Sequence, residues 1–226
     1  MPDTVETYKT FIVHLKRAKG RKAQVQDLVA KAPYNIQIID AVDGAKLSEQ
    51  DIDACYSRTP VMQPKYPFAL NVGEMGCFLS HRKAWQAIVD QDLDAGLIFE
   101  DDVQIAPDQF AAALALAQIH VRELGYIQFL VRNVRDVSKV LVKNGNAMIV
   151  QPVVTQLRTS AQLVSKATAQ ELLELTEKFD RPVDSFLQLY WETGIQLSCV
   201  IPPGVSDRTH ETGGSTLSAK RPLSKK

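Results

Sequence analysis

Residues 95–105 read AGLIFEDDVQI: an apolar run, Leu97, Ile98 and Phe99, followed by three adjacent carboxylates, Glu100, Asp101 and Asp102. An unbroken apolar run suits a strand buried on both faces. Its acids then fall at the carboxyl end of the strand, the edge where open α/β sheets bind ligands. Side chains alternate along an extended segment, which predicts Glu100 and Asp102 on one side and Asp101 on the other. Two carboxylates on one side repel unless a cation sits between them. A hard divalent ion, Mn²⁺ or Mg²⁺, suits such oxygen ligands and keeps positions for water and a substrate phosphate. A metal bridging a diphosphate to protein is the chemistry of nucleotide-sugar transfer, where it offsets charge on the leaving group. The same three acids also describe a solvated strand-end loop whose Asp side chains cap backbone groups.

The elements that must position these acids follow from periodicity. Residues 9–15 and 36–39 read as short strands, with a helix over 21–32 whose Val25, Leu28 and Val29 share a face. DAVDG (40–44) is a turn, and SEQD (48–51) is a capping pattern with Asp in place of Glu or Gln. Pro60, Pro64 and Pro67 place a loop over 57–72, a candidate flap. A long helix over 72–91 carries the stripe Met75, Phe78, Leu79, Trp85, Ile88 and Val89. Beyond the acidic strand come a helix over 107–118 with Pro in its first turn, a strand over 126–131, and a hairpin over 138–154 turning at NGN. A strand (160–165), a helix (167–179), a helix starting at 182 and a strand (196–203) complete the pattern. Alternating strands and helices in the first half predict an α/β fold with helices on both faces of a mainly parallel sheet. The hairpin and later strands make that sheet mixed.

Composition narrows the function classes. The chain has 226 residues, 45% hydrophobic, enough for a sizeable core without a staple. Lys plus Arg and Asp plus Glu both number 26, so the basic excess of a nucleic-acid binder is missing. Cys55, Cys77 and Cys199 are scattered with no CxxC pair, which argues against a disulfide framework and a zinc site and suits a reducing compartment. MPDTVETYKTFIVHLKR lacks a signal-peptide pattern, and no stretch approaches the ~20 apolar residues of a membrane span. The expectation is a cytoplasmic protein. The tail AKRPLSKK, with Lys220, Arg221, Lys225 and Lys226, reads as a solvated end or as a peripheral contact with an anionic membrane.

Three stretches together resemble glycosyltransferase family 25, the lipooligosaccharide and collagen galactosyltransferase family. The first is FIVHLKRAKGRKAQ (11–24) with IDAVDGAKLS (39–48). The second is LNVGEMGCFLSHRKAWQAIV (70–89) running into GLIFEDDV (96–103). The third is SAQLVSKATAQELLE (160–174) with RPVDSFL (181–187). The resemblance implies a GT-A-like domain over residues 1–203 with a polar, basic tail over 204–226. It implies metal-dependent, inverting transfer of a hexose, typically galactose, from a UDP-sugar donor to an oligosaccharide or glycolipid acceptor such as a lipooligosaccharide core. The enzyme would then work at the inner face of a bacterial inner membrane.

By the match, Asp102 would hold the metal and diphosphate. Glu100 would contact the metal or the ribose, and Asp101 could exchange roles with it. Leu15, Arg21, Asp43, Gly44 and His81 would face the donor; a guanidinium pairs well with phosphate, and helix starts favour anions. Local roles are open at the same positions: a solvated Arg21, a plain turn at Asp43–Gly44, a buried His81. His14 stands where the family has Asn, a departure at the uridine position, and the aromatic residue the family often has near Gln162 is absent. Cys77 reads as a small packing residue. The base that takes the acceptor's proton would be Asp184 or Glu74, Asp184 being equally suited to cap a helix. Trp191 is placed to stack on sugar or to pack in the core, and His210 to ligate metal or lie free. Two alternatives stay open: a non-catalytic nucleotide- or saccharide-binding protein, and a metal-dependent phosphohydrolase, for which EDDVQI lacks the paired Asp nucleophile pattern.

Overall fold

The computed structural model describes residues 7–132, 134 and 136–209. Eight strands form one sheet. They are β1 (Tyr8–His14), β2 (Ile36–Asp40), β3 (Ala95–Glu100), β5 (Tyr126–Gln128), β6 (Val137–Asn144), β7 (Ala147–Pro152), β8 (Ala161–Ser165) and β9 (Ser198–Ile201). β4 (Val103–Ile105) and β10 (Val205–Asp207) make a separate antiparallel pair. The order across the large sheet is β2-β1-β3-β8-β5-β9-β7-β6. Only β8 and β7 oppose the rest, so six of its eight strands point the same way. This is the mixed, mainly parallel α/β sheet expected of a GT-A-like fold.

The helices are α1 (Lys22–Lys31), α2 (Glu49–Cys55), α3 (Val72–Asp90), α4 (Pro107–Leu124), α5 (Lys166–Leu175), α6 (Val183–Leu187) and α7 (Tyr190–Thr193). No described helix is long and apolar enough to cross a membrane. Two apolar layers explain the unbroken run in β3. Leu97 and Phe99 pack beneath α1 and α4, with Phe110, Ala113 and Val25. Ile98 faces the other layer, with Trp85 and Phe78 of α3 and Leu172 of α5. A strand buried on both faces has no polar side to alternate with.

Several local expectations hold for their stated reason. Ser48 and Asp51 form a reciprocal capping box at α2, Pro107 opens α4, and the hairpin turns between Asn144 and Ala147. Others are corrected. Val29 is exposed while Val25 and Leu28 are buried. The segment from 182 breaks into two short helices, because Leu189 leaves the helical path at ψ 50°. The loop over 57–72 is pinned rather than loose: the Arg181 guanidinium donates to the carbonyls of Met62 (2.8 Å) and Pro64 (3.0 Å), and Val61 N–H to Asp180 (3.0 Å). The chain beyond Pro203 stays in the fold through residue 209, since β10 pairs with β4. The basic tail lies outside the described residues.

The turn after β2 presses against the first turns of α3. A Cβ on Gly44 would lie 1.7 Å from the Val72 carbonyl oxygen, and one on Gly76 would lie 2.6 Å from that of Val42. Both neighbours are backbone, so neither can swing aside. Gly44→Ala is therefore expected to destabilise the protein by roughly 1–3 kcal/mol, seen as a lower denaturant midpoint at unchanged slope. A wild-type midpoint would show that this close approach is dispensable.

Candidate active site

The carboxyl ends of β1, β2 and β3 meet the first turns of α3 around a solvent-open cleft. Leu15, Arg21, Gly44, Cys77, His81 and Glu100 are among its lining residues. Parallel β1, β2 and β3 bring three strand ends to one edge, while α3 lays Cys77, Ser80 and His81 along the opposite wall. Ser80 ties the two walls together: its hydroxyl accepts from Val42 N–H at 2.8 Å and donates to the Gly76 carbonyl at 2.6 Å.

β3 ends at Glu100, and Asp101 and Asp102 form the turn into β4. The strand alternation expected through all three acids therefore stops after the first. Asp101 and Asp102 are buried and share one guanidinium: Arg21 Nη1 pairs with Asp101, and Nη2 lies 3.1 Å from Asp102 Oδ2. The other oxygen of Asp101 meets His14 Nδ1 at 2.7 Å. Both oxygens of Asp101 are thus engaged inside the protein. Arg21 is 5% exposed, which rules out the solvated reading. Burial opposes its charge, but Asp101 and Asp102 hold it protonated.

Glu100 turns the other way, toward α3 and β8. It accepts from His81 Nε2 (3.0 Å) and from the Thr159 hydroxyl (2.8 Å). Gln162 Nε2 lies 3.2 Å from His81 Nδ1. An amide that donates to Nδ1 assigns the His81 proton to Nε2, where it points at Glu100. Burial disfavours the Glu100 carboxylate, yet the hydrogen bonds from His81 and Thr159 outweigh it and hold its pKa below the usual value. Asp102 goes the opposite way: burial, and then the charge of Glu100, push it up to about 6. Arg21 alone does not balance the cluster. A divalent ion would offset that excess charge, and Glu100 and Asp102 carry oxygen donors for one, whereas both oxygens of Asp101 are engaged.

Asp184 comes from α6 but reaches the same region. It accepts from Ser185 N–H (2.8 Å) and Arg158 N–H (3.2 Å), and burial raises its pKa despite those bonds. Arg158 holds an uncommon φ of +96° while its guanidinium pairs with Asp207. Thr209 N–H donates to Asp207 at 2.7 Å, and the Thr209 hydroxyl lies 3.0 Å from Asp102. A continuous polar chain thus links Asp184 to Asp102. Arg158, Thr159, Asp207 and Thr209 carried no sequence signal, since they are ordinary residues brought together by β10 and the β7–β8 loop.

The remaining candidates have local roles. Asp43 accepts from Arg17 Nε (2.9 Å) and Ala45 N–H (3.2 Å), capping the turn that follows it. Gly44 is required by the close approach to α3. Glu74 and Asn71 form a reciprocal capping box at the start of α3. Trp191 is 57% exposed beside Tyr190, which removes the core-packing alternative. His210 lies outside the described residues.

A family model described as glycosyltransferase family 25 (LPS biosynthesis protein) matches residues 7–187. Human procollagen galactosyltransferase 2 is 33% identical over 108 residues, 46% of this chain and 17% of that protein. Mouse inactive glycosyltransferase 25 family member 3 is 27% identical over 225 residues, 91% of this chain and 37% of that protein. The glycosyltransferase 25 family member of Drosophila melanogaster is 27% identical over 190 residues, covering 81% and 31%. The chain therefore spans well under half the length of these relatives. Among solved structures, a glycosyltransferase involved in glycosylation of the major capsid of PBCV-1 matches with TM-score 0.34 at 12% identity, covering 73% of this chain and 62% of that one. Mannose-1-phosphate geranyltransferase from Thermus thermophilus matches with TM-score 0.39 at 9% identity, covering 86% and 73%.

The raised Asp102 carboxyl has a stability consequence with a definite sign. Between its unfolded pKa and about 6, the folded state binds more protons than the unfolded state. Its contribution is fully present at low pH and is lost as pH rises through 6. In metal-free protein at pH 7–8, Asp102→Asn is expected to raise stability, on the order of 1–3 kcal/mol. The gain should vanish below about pH 4. Denaturant titrations across that range check it; a destabilised variant at pH 8 would refute the charge imbalance.

Proposed function

Because the chain belongs to glycosyltransferase family 25, we propose that it transfers a hexose from a UDP-sugar to a saccharide acceptor with inversion. One observation carries this reading: at the shared carboxyl edge, Glu100 and Asp102 carry more negative charge than Arg21 balances, with the buried Asp184 carboxyl linked to them. Glu100 and Asp102 would hold Mn²⁺ or Mg²⁺, and the bound ion would offset charge on the departing diphosphate. Arg21 keeps Asp101 and Asp102 in place. His81 orients Glu100 from behind.

In the transfer, the acceptor hydroxyl oxygen bonds to the anomeric carbon as the carbon–oxygen bond to the diphosphate breaks. The hydroxyl proton passes to Asp184, and UDP departs with the bonding electron pair. Burial suits Asp184 to that role, because a raised pKa makes a carboxylate a better base near neutral pH. Glu74 is the second candidate; its carboxylate closes the capping box at the start of α3.

Galactose as the sugar is supported by the names of the procollagen galactosyltransferases. A lipooligosaccharide core as acceptor is supported by the family's description. With that acceptor, the enzyme would work at the cytoplasmic face of a bacterial inner membrane, through peripheral contact. The mouse relative named inactive aligns over most of this chain, which favours a second reading: a binding protein on the same scaffold.

Release of UDP from UDP-galactose, with a saccharide acceptor and Mn²⁺, separates the two. Asp184→Asn is expected to lower kcat by roughly 10²–10⁴ while the Kd for UDP stays near wild type. The rate should rise with pH as the Asp184 proton leaves above its raised pKa, and the variant should lose that limb. Unchanged kcat in Asp184→Asn would sink the assignment of the base. UDP binding without turnover for any UDP-hexose would favour the binding protein.

A further inference from the structure

We propose that Cys77, His81 and Glu100 form a second cation site in the cleft floor, suited to a borderline-soft ion of the Zn²⁺ class rather than to a hard ion. Cys77 and His81 stand four residues apart on α3, the spacing that puts side chains on one helix face. Glu100 meets them from the end of β3. One ligand atom from each, Sγ, an imidazole nitrogen and a carboxylate oxygen, lies within 4.8 Å of the others. His81 Nε2 and Glu100 Oε1 are 3.0 Å apart, close to the edge of a tetrahedron with bonds of about 2.0–2.1 Å. A thiolate, an imidazole and one carboxylate, with one position open, make a zinc-type donor set.

A separate observation points to the same ligand. Gln162 is fully buried, and its Oε1 has no hydrogen-bond partner while its Nε2 faces His81 Nδ1. A metal-bound histidine almost always donates its other ring N–H to an acceptor. Turning the Gln162 amide over places Oε1 opposite Nδ1, where it accepts from the Nδ1–H of a metal-bound imidazole. The protons balance: the His81 proton moves from Nε2 to Nδ1, the Cys77 thiol proton leaves to solvent, and the two freed lone pairs bind the ion. The cysteine count spoke against zinc because it weighs only cysteine spacing, and two of these three ligands are not cysteines. Glu100 is common to this site and to the hard-metal site proposed above, so the two ions compete. The inference does not rest on the transferase reading.

Cobalt(II) titration of the metal-free protein tests it. The expected result is a near-ultraviolet thiolate-to-cobalt charge-transfer band that saturates at one ion per chain. Cys77→Ser, close to isosteric, is expected to abolish the band, whereas Cys55→Ser and Cys199→Ser keep it. Gln162→Leu is expected to weaken Zn²⁺ about 10–100-fold, read by competition with a chromophoric chelator. Mn²⁺ affinity in Cys77→Ser should stay at the wild-type value. No band, or a band that survives Cys77→Ser, would overturn the proposal. So would a parallel loss of Mn²⁺ affinity, which would merge the two sites into one.

Discussion

One guanidinium holds the acidic turn together. Arg21 is buried with Asp101 and Asp102 at the end of β3 and is the cation these two carboxylates share. Removing a partner from a buried ion pair leaves an uncompensated charge, which is costly. That pairing fixes where Asp101 and Asp102 point in the turn between β3 and β4, while His81 and Thr159 set the direction of Glu100. His14 at the end of β1 completes it from the other side. Two parallel strands are thereby joined at their carboxyl ends by polar contacts, as well as by their backbone ladder.

The pairing leaves charge unbalanced. Three carboxylates meet one guanidinium and two imidazoles; burial and the charge of Glu100 raise Asp102, while hydrogen bonds from His81 and Thr159 keep Glu100 low. Opposite shifts in neighbouring acids separate their roles. Glu100 is ionised and oriented by His81 and Thr159. Cys77 stands among these groups, its thiol pushed up by burial and then by Glu100, Asp184, Asp102 and Glu74. Four carboxylates from three segments thus act on one point of α3.

A rigid frame keeps that arrangement from relaxing. The Gly44–Val72 and Gly76–Val42 approaches lock α3 against the β2 turn. Arg181 and Asp180 anchor the loop over 57–72 beside α6, which carries Asp184. Arg158, at a φ of +96°, joins Asp184 to Asp207. Backbone strain of order 1–3 kcal/mol persists where surrounding contacts over-determine it, and here those contacts run through the site.

The order of strands and helices, the capping of α2, the Pro start of α4 and the hairpin were legible in the sequence, because each rests on residues adjacent in the chain. So was the buried character of β3 and the placement of its acids at the carboxyl edge of the sheet. The directions of the three acids were not legible. Alternation along a strand is a local rule, but the strand stops at Glu100, and partners from β1, α1, α3 and β8 decide where each carboxylate turns. The same holds for the link through Arg158, Asp207 and Thr209, and for the meeting of Cys77, His81 and Glu100. Sequence by itself determined which segments are apolar, which turn and which carry charge, since those depend on covalent neighbours. Only the tertiary structure decided which charges face one another, because electrostatic and hydrogen-bond partners are set by distances across the sheet that chain order does not encode.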